Sequence, residues 1–275
     1  MDLTEAIYGL IMKAATELPI DVLALLNSRQ MSEVGTAKQA LNDILKNSKI
    51  ARERKLPICQ DTGVLNFFVK KGGYSEKEIK SAIAKAVDKA TQEGILRPNS
   101  VDSLSGRNLG NIPKIHFDEG GFEVKLLLKG GGSENVCAQY SLPNSTLKAG
   151  RDLKGVEKCL LDALFKAQGE GCPPYFVGVC IGGQRESGYL EAKKQLFRKT
   201  GERNKELSDF ECSVKERINK LGIEPMGLGG TTTALEIFAM SIPRHPACFF
   251  VSVSLNCWAL RRWVLTIKNG KAHYS

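Results

Sequence analysis

LPICQDTGVLNFFVKKGGYSEKEIKSAIAKAVDKATQEG, residues 56–94, passes from loop to strand to helix and decides the fold class. VLNFFVKK (64–71) is rich in aromatic and β-branched residues, which predicts a strand. SEKEIKSAIAKAVDKATQEG (75–94) predicts a helix. Ser75 caps it, Ile79, Ile83 and Val87 recur at helical spacing, and Gly94 ends it. Working outward, 3–28 reads as helix split near Pro19, and 31–54 continues as helix. Residues 95–113 carry no apolar period and read as a long loop, the kind that in compact domains tends to be functional. FEVKLLLK (122–129) predicts a strand and 152–168 a helix. CPPYFVGVCIGG (172–183) reads as a turn, a buried strand and a glycine turn. Helices are expected over 186–199 and 203–221. GLGGTTTALEIFAM (227–240) is a glycine turn followed by an apolar segment, strand or helix. ACFFVSVSLNCW (247–258) predicts a strand ending at Cys257. The expected fold is α+β (mixed α/β), with helices around a small mixed sheet. No linker is evident, so 1–275 reads as a single domain with room for two lobes.

The loop LPICQDTG (56–63) sets a thiol beside an amide and a carboxylate. That combination suits a nucleophile, a metal ligand or a buried bystander. Eight cysteines stand at 59, 137, 159, 172, 180, 212, 248 and 257, with no CxxC pair. The chain is too long to need disulfide staples, so most of these thiols are expected in the core. Cys59, Cys172 and Cys257 all fall at turns or strand ends, where function concentrates. They lie so far apart in sequence that spacing alone does not unite them.

Composition excludes several classes. No apolar run approaches the length of a membrane span. The opening MDLTEAIYGL carries acidic residues where an export signal would carry lysines, so a cytoplasmic protein is expected. The net charge of +9 is spread through the expected helices rather than gathered in a stripe with aromatics, which argues against nucleic acid and suits small acids. KGGGSEN and GLGGTTT could each offer backbone N–H groups to an anion, or could be turns that only glycine makes. Neither matches a P-loop or a dinucleotide fingerprint. His116 and His245 are isolated, and no zinc-hydrolase or nucleophile-elbow pattern occurs.

Six motifs in order carry a resemblance: LPICQDTG, GILRPNSVDSLSGRNLGNIP, LKGGGSEN, GEGCPPYFVGVCIGGQRESGYLEAKKQLFR, MGLGGTTTALEIFA and HPACFFVSVSLNCWALRR. Together they resemble the class I, iron–sulfur-dependent fumarate hydratases and the related two-subunit tartrate dehydratases. The resemblance implies the N-terminal, alpha-subunit fold of that family and a [4Fe–4S] cluster held by Cys59, Cys172 and Cys257. It favours Cys172 over Cys180, because two-subunit relatives keep the Cys-Pro-Pro and generally carry glycine in the Cys180 slot. It implies that Gln60 and Arg97 contact a substrate carboxylate, that Gly131 donates its N–H to the same dianion, and that Asp61 serves proton transfer. Three thiolates on four irons leave one iron open to act as a Lewis acid on a substrate hydroxyl. The implied reaction is reversible dehydration of a small 2-hydroxy dicarboxylic acid, fumarate/malate first and tartrate as the alternative. The family's long enzymes continue into a second domain after the Cys257 motif. The resemblance therefore implies a beta subunit, in an α2β2 assembly, that completes the site. A non-catalytic metal-binding cysteine protein is the alternative of another class.

Overall fold

The computed structural model describes residues 2–223 and 225–275. Along the chain these form α1 (Leu3–Thr16), α2 (Ile20–Ser32), α3 (Gly35–Arg54), β1 (Val64–Lys70), α4 (Glu76–Gln92), β2 (Ser100–Val101), β3 (Asn108–Gly110), β4 (Lys114–Asp118) and β5 (Glu123–Lys129). There follow α5 (Gly131–Asn135), β6 (Ala138–Ser141), α6 (Leu153–Ala167), β7 (Tyr175–Gly182), α7 (Arg185–Gln195), α8 (Ser208–Asn219), a 3₁₀ turn (Pro225–Gly227), β8 (Ala234–Ile242), β9 (Phe250–Asn256), β10 (Arg261–Lys268) and β11 (Lys271–Tyr274). The mixed α/β character matches the expectation. The strands, however, make two mixed sheets and a short ribbon rather than one sheet.

Two compact units divide the chain. The first takes the chain up to Ile20, then Leu45–Gly131 and Ala259–Ser275. Its sheet runs β11-β10-β5-β1-β4, with β1 parallel to β4 and antiparallel to β5. Alternation along β1 sends Leu65, Phe67 and Val69 to one face, and β5 adds Val124, Leu126 and Leu128. α1 and α4 cover that face with Ile7, Leu10, Ile11, Ile79, Ile83 and Val87. Each such aliphatic side chain, fully buried, stabilises by about 1.5–3 kcal/mol. α4 starts at a capping box: Glu78 N–H donates to Ser75 Oγ at 3.3 Å and Ser75 N–H to Glu78 Oε2 at 2.8 Å. On the opposite face Phe68 stacks on His116 at 5.1 Å between ring centres.

The second unit comprises Asp21–Ile44 and Gly132–Trp258. Its sheet runs β6-β9-β7-β8, with β7 parallel to β8 and antiparallel to β9. β7 is buried along its whole length, as expected for a near-continuous apolar strand. One face joins Val177, Val179, Val253 and Leu255 to the apolar sides of α6 and α8. α7 crosses the other face so closely that a Cβ at Gly178 would collide with the Ala192 carbonyl. That approach accounts for the glycine inside VGVCIGG.

Several boundaries differ from the expectation. Within 95–113 the ribbon β2–β3 forms, because Asp102 Oδ1 accepts Ser105 N–H at 2.8 Å and Ser105 Oγ–H at 2.7 Å. Local side-chain bonds fold this segment, so it shows no apolar period. GGGSEN opens the short helix α5 instead of remaining a turn. The apolar run after GLGGTTT is a strand, β8. No helix among the described residues is long and apolar enough to cross a membrane.

Candidate functional site

The CQDTG loop belongs to the first unit and is pinned at its root. Ile58 is buried, its N–H donates to the Ala15 carbonyl at 2.9 Å, and its own carbonyl accepts Asn47 Nδ2–H at 2.8 Å. Cys59 follows half-buried, Gln60 exposed and Asp61 half-buried. Asp61 is locked by backbone donors. Gly63 N–H donates to Oδ1 at 2.9 Å, and Gly131 N–H donates to Oδ2 at 2.7 Å. Glycine is required at both ends of this grip. Gly63 has φ +82° and a Cβ there would sit 2.9 Å from the Lys129 carbonyl, while a Cβ on Gly130 would lie 3.0 Å from Asp61 Oδ2.

Arg97 stands beside the loop. Its N–H donates to Thr62 Oγ1 at 3.1 Å, and its exposed guanidinium reaches the Gln60 carbonyl at 3.4 Å. Asn99 Nδ2–H also donates to Thr62 Oγ1, at 2.8 Å. Thr62 is buried, so Arg97 is held by its backbone while its charge stays in solvent. Behind Asp61 lies Arg261, only 1% exposed, whose Nη1–H donates to the Asp61 carbonyl at 2.8 Å. Its Nε has no hydrogen-bond partner within the protein. Lys129 and Arg262 are buried at the neighbouring ends of β5 and β10. Gln60, Asp61, Arg97 and Gly131 thus come together in one unit, on a base of buried cations. That setting suits an anionic ligand. The Gly131 N–H is engaged by Asp61 here, so it acts on the carboxylate of its own chain.

Sequence reasoning did not assign roles to Lys129 or Arg261. The signal was available in principle, since Lys129 ends one apolar strand and Arg261 begins another. A buried cation and an exposed one look alike without the strand register.

The second unit holds the other cysteines. Cys172 is exposed and sits at φ +57°, a left-handed conformation costing a residue with a Cβ about 1–2 kcal/mol. Its loop is tied on three sides. Cys172 N–H donates to the Gly169 carbonyl at 3.1 Å, Trp258 N–H to the Cys172 carbonyl at 3.2 Å, and Met226 N–H to the Pro173 carbonyl at 2.9 Å. Asn256 Nδ2–H donates to the carbonyl of Cys257, which is half-buried. Near both cysteines is Tyr175, fully buried, with its hydroxyl donating to the Gln168 carbonyl at 2.9 Å and accepting Gly171 N–H at 3.0 Å. Burial pushes the ionisation of this phenol up, and the nearby Cys172 and Cys257 thiols push it further. Both thiols therefore lie within electrostatic reach of one ring.

Cys180 is different. It is fully buried in β7, and burial, with Glu191 adding, pushes its thiol up to about 12. Cys159 is buried likewise, and burial raises its thiol to about 12. Such thiols stay protonated and inert. Within neither unit, among the described residues, are three or more His, Cys, Asp or Glu side chains gathered as a metal site.

GLGGTTT serves a carboxylate of the chain itself. Glu33, 1% exposed, accepts Thr231 N–H at 3.0 and 2.9 Å on its two oxygens and the Thr231 hydroxyl at 2.9 Å.

Comparison with known proteins points to one family. The family model described as fumarate hydratase (fumerase) matches residues 4–266. A protein of Geobacillus stearothermophilus named "Putative fumarate hydratase class I" is 47% identical over 94% of this chain, and the chain spans only 54% of that relative's length. The "Putative L(+)-tartrate dehydratase subunit alpha" of Methanocaldococcus jannaschii is 38% identical, covering 98% of each chain. The "L(+)-tartrate dehydratase subunit alpha" of Escherichia coli K12 is 30% identical over 96% of this chain and 90% of its own. A match over nearly the whole chain, joined to the locked CQDTG carboxylate and the Cys-Pro-Pro loop, places the chain in the fumarate hydratase (fumerase) family.

Proposed function

We propose that this chain is the alpha subunit of an iron–sulfur hydro-lyase that reversibly dehydrates a small 2-hydroxy dicarboxylic acid, fumarate/malate first. The observation that carries the reading is the Asp61 carboxylate, fixed by two backbone N–H groups beside the exposed guanidinium of Arg97. The proposed ligands of a [4Fe–4S] cluster are Cys59, Cys172 and Cys257. Their chemistry fits: all three are loop cysteines outside any disulfide and at least partly accessible, whereas Cys159 and Cys180 are sealed in the core. When bound, the cluster supplies a Lewis acid for the departing hydroxide.

The chain's own residues do the rest. Arg97 pairs one substrate carboxylate, and Gln60 offers its amide to the same group. Asp61 keeps one acceptor site on each oxygen beyond those taken by Gly63 and Gly131, so it can still accept a proton or a substrate hydroxyl. A carboxylate placed at Gly131 competes with Asp61 for that N–H. The buried Arg261 and Lys129 add positive potential behind the site. None of these residues is a plain base for carbon acid chemistry. The reading therefore includes a beta subunit, in an α2β2 assembly, that supplies the proton acceptor. Tartrate is the alternative substrate, supported by the match over 98% of each chain to the Methanocaldococcus jannaschii protein named "Putative L(+)-tartrate dehydratase subunit alpha".

Anaerobic reconstitution with iron and sulfide tests the ligand set. Cys59→Ser, Cys172→Ser and Cys257→Ser should each abolish bound iron and sulfide, and Cys180→Ser should not. Retention by Cys172→Ser with loss in Cys180→Ser would overturn the assignment. Assay of the reconstituted chain with its co-expressed partner against malate, fumarate and tartrate then identifies the acid.

A further inference from the structure

The GLGGTTT turn has no place in the reading above, yet it touches the loop that carries Cys172. Its 3₁₀ turn places Met226 at φ +57°, and Met226 N–H donates to the Pro173 carbonyl at 2.9 Å. Met226, in a left-handed conformation, is thereby bonded to Pro173, the residue after left-handed Cys172. A second contact runs alongside: a Cβ on Gly169 would meet the Gly227 Cα at 3.4 Å. Strained residues of this kind persist only where their surroundings over-determine them. What over-determines the 225–231 segment is the buried carboxylate of Glu33.

Glu33 accepts three hydrogen bonds, all from Thr231. A Cβ on Gly230 would sit 2.5 Å from Glu33 Oε2 and 2.6 Å from Ala37 Cβ, so only glycine lets the turn close over the carboxylate. Thr36 adds a second tie, its hydroxyl donating to the Leu228 carbonyl at 2.9 Å. Residues 33–37 therefore grip the turn at 228, 230 and 231, and the turn grips the 172–174 loop through Met226. The path continues to the other cysteine, because the Cys172 carbonyl accepts Trp258 N–H, next to Cys257. All of these groups lie in the second unit.

We infer that Glu33 is a positioning residue for Cys172: its buried carboxylate anchors the 225–231 turn, and that turn holds the 172–174 loop in the shape that presents the thiol. A fully buried carboxylate that takes three contacts from the N–H and hydroxyl of a single residue acts as a fixed internal anchor. It also occupies the N–H group that an outside anion would need, so GLGGTTT is a brace for the cysteine loop rather than a substrate subsite. The inference rests on the reading of Cys172 as a cluster ligand only for its consequence. The brace itself is a statement about the loop.

Amide hydrogen exchange in the full, cluster-free chain tests it. Glu33→Gln keeps the shape but turns one acceptor into a donor facing Thr231. The exchange rates of the Met226 and Trp258 amides should rise about tenfold or more, the scale of one lost charge-assisted bond. The Ala239 amide, inside β8, should not change. Cys172 should react with a small alkylating reagent at a rate different from wild type, while exposed Cys212 reacts as before. Thr36→Val removes only an exposed hydroxyl and should give the same local pattern at smaller amplitude, which keeps the test usable if Glu33→Gln folds poorly. Unchanged exchange at Met226 and Trp258 in both variants would overturn the brace, and so would an equal rise at Ala239, which marks general destabilisation. Cluster loading separates the two ideas. If Cys172→Ser still binds the cluster while Glu33→Gln loosens Met226, the ligand assignment fails and the brace stands.

Discussion

Two glycine turns in this protein do the same thing to opposite ends. At 130–132, Gly131 N–H holds Asp61; at 229–231, Thr231 N–H and hydroxyl hold Glu33. In each, glycine clears the space that a Cβ would take from a carboxylate. The surroundings differ. Asp61 is half-buried and flanked by exposed Gln60 and Arg97, whereas Glu33 is sealed. The lesson is that an anion-binding turn does not mark a ligand site by itself. A turn whose carboxylate still meets solvent beside an exposed cation can work on a substrate, and one whose carboxylate is sealed can only build.

The largest expected effect separates the two carboxylates directly. Asp61→Asn places an amide where both backbone donors expect oxygen, and it removes the carboxylate that serves proton transfer toward the partner's acceptor. Turnover by the cluster-loaded chain with its partner should fall roughly 100-fold or more, the scale of lost acid–base function. Iron and sulfide content should remain near wild type. A variant that turns over normally would place Asp61 with Glu33, as scaffold.

Next in size is Arg97→Lys. The charge survives but the planar fork does not, so a bidentate carboxylate contact becomes a single one. KM for the dicarboxylate should rise about tenfold, near the 1.4 kcal/mol expected for one charge-assisted bond. The contact to the Gln60 carbonyl is long and exposed, so unfolding stability should hardly move. If KM stays fixed while kcat alone drops, Arg97 acts on something other than the ground-state carboxylate, and the open turn needs a different cation.

Much of this was legible before the fold was known. The Ser75 capping box, the β1 strand and the buried β7 announce themselves by local chemistry and apolar period. The grouping of Gln60, Asp61, Arg97 and Gly131 came from motif resemblance, and the fold places all four around one loop. What stayed hidden has a common cause. Asp102 folds the 100–110 ribbon through side-chain bonds that leave no apolar pattern. Glu33 and Arg261 look like surface charges in sequence, since only strand register and long-range contact reveal that they are buried. The two glycine turns read alike for the same reason: their carboxylates arrive from residues 33 and 61, far from either turn in sequence.

The smallest effect extends the contrast of open and sealed groups to the thiols. Cys172 is exposed, and Cys180 is buried with its thiol raised from an ordinary 9.0 to about 12. Its folded value lies above its unfolded one, so the stability linked to it is fully present below pH 9. Above pH 9 the unfolded chain releases a proton that the folded chain keeps, and stability falls as pH rises toward 12. Cys159 behaves the same way. Urea unfolding of the full chain across this range should show a falling alkaline limb. Cys180→Ser removes one of these titrating thiols, so the limb should become shallower by up to about 1.4 kcal/mol per pH unit, the equivalent of one proton. Cluster loading at neutral pH should not change. A limb of unaltered slope would mean that Cys180 already meets solvent when folded, and it would return Cys180 to contention with Cys172 for the cluster.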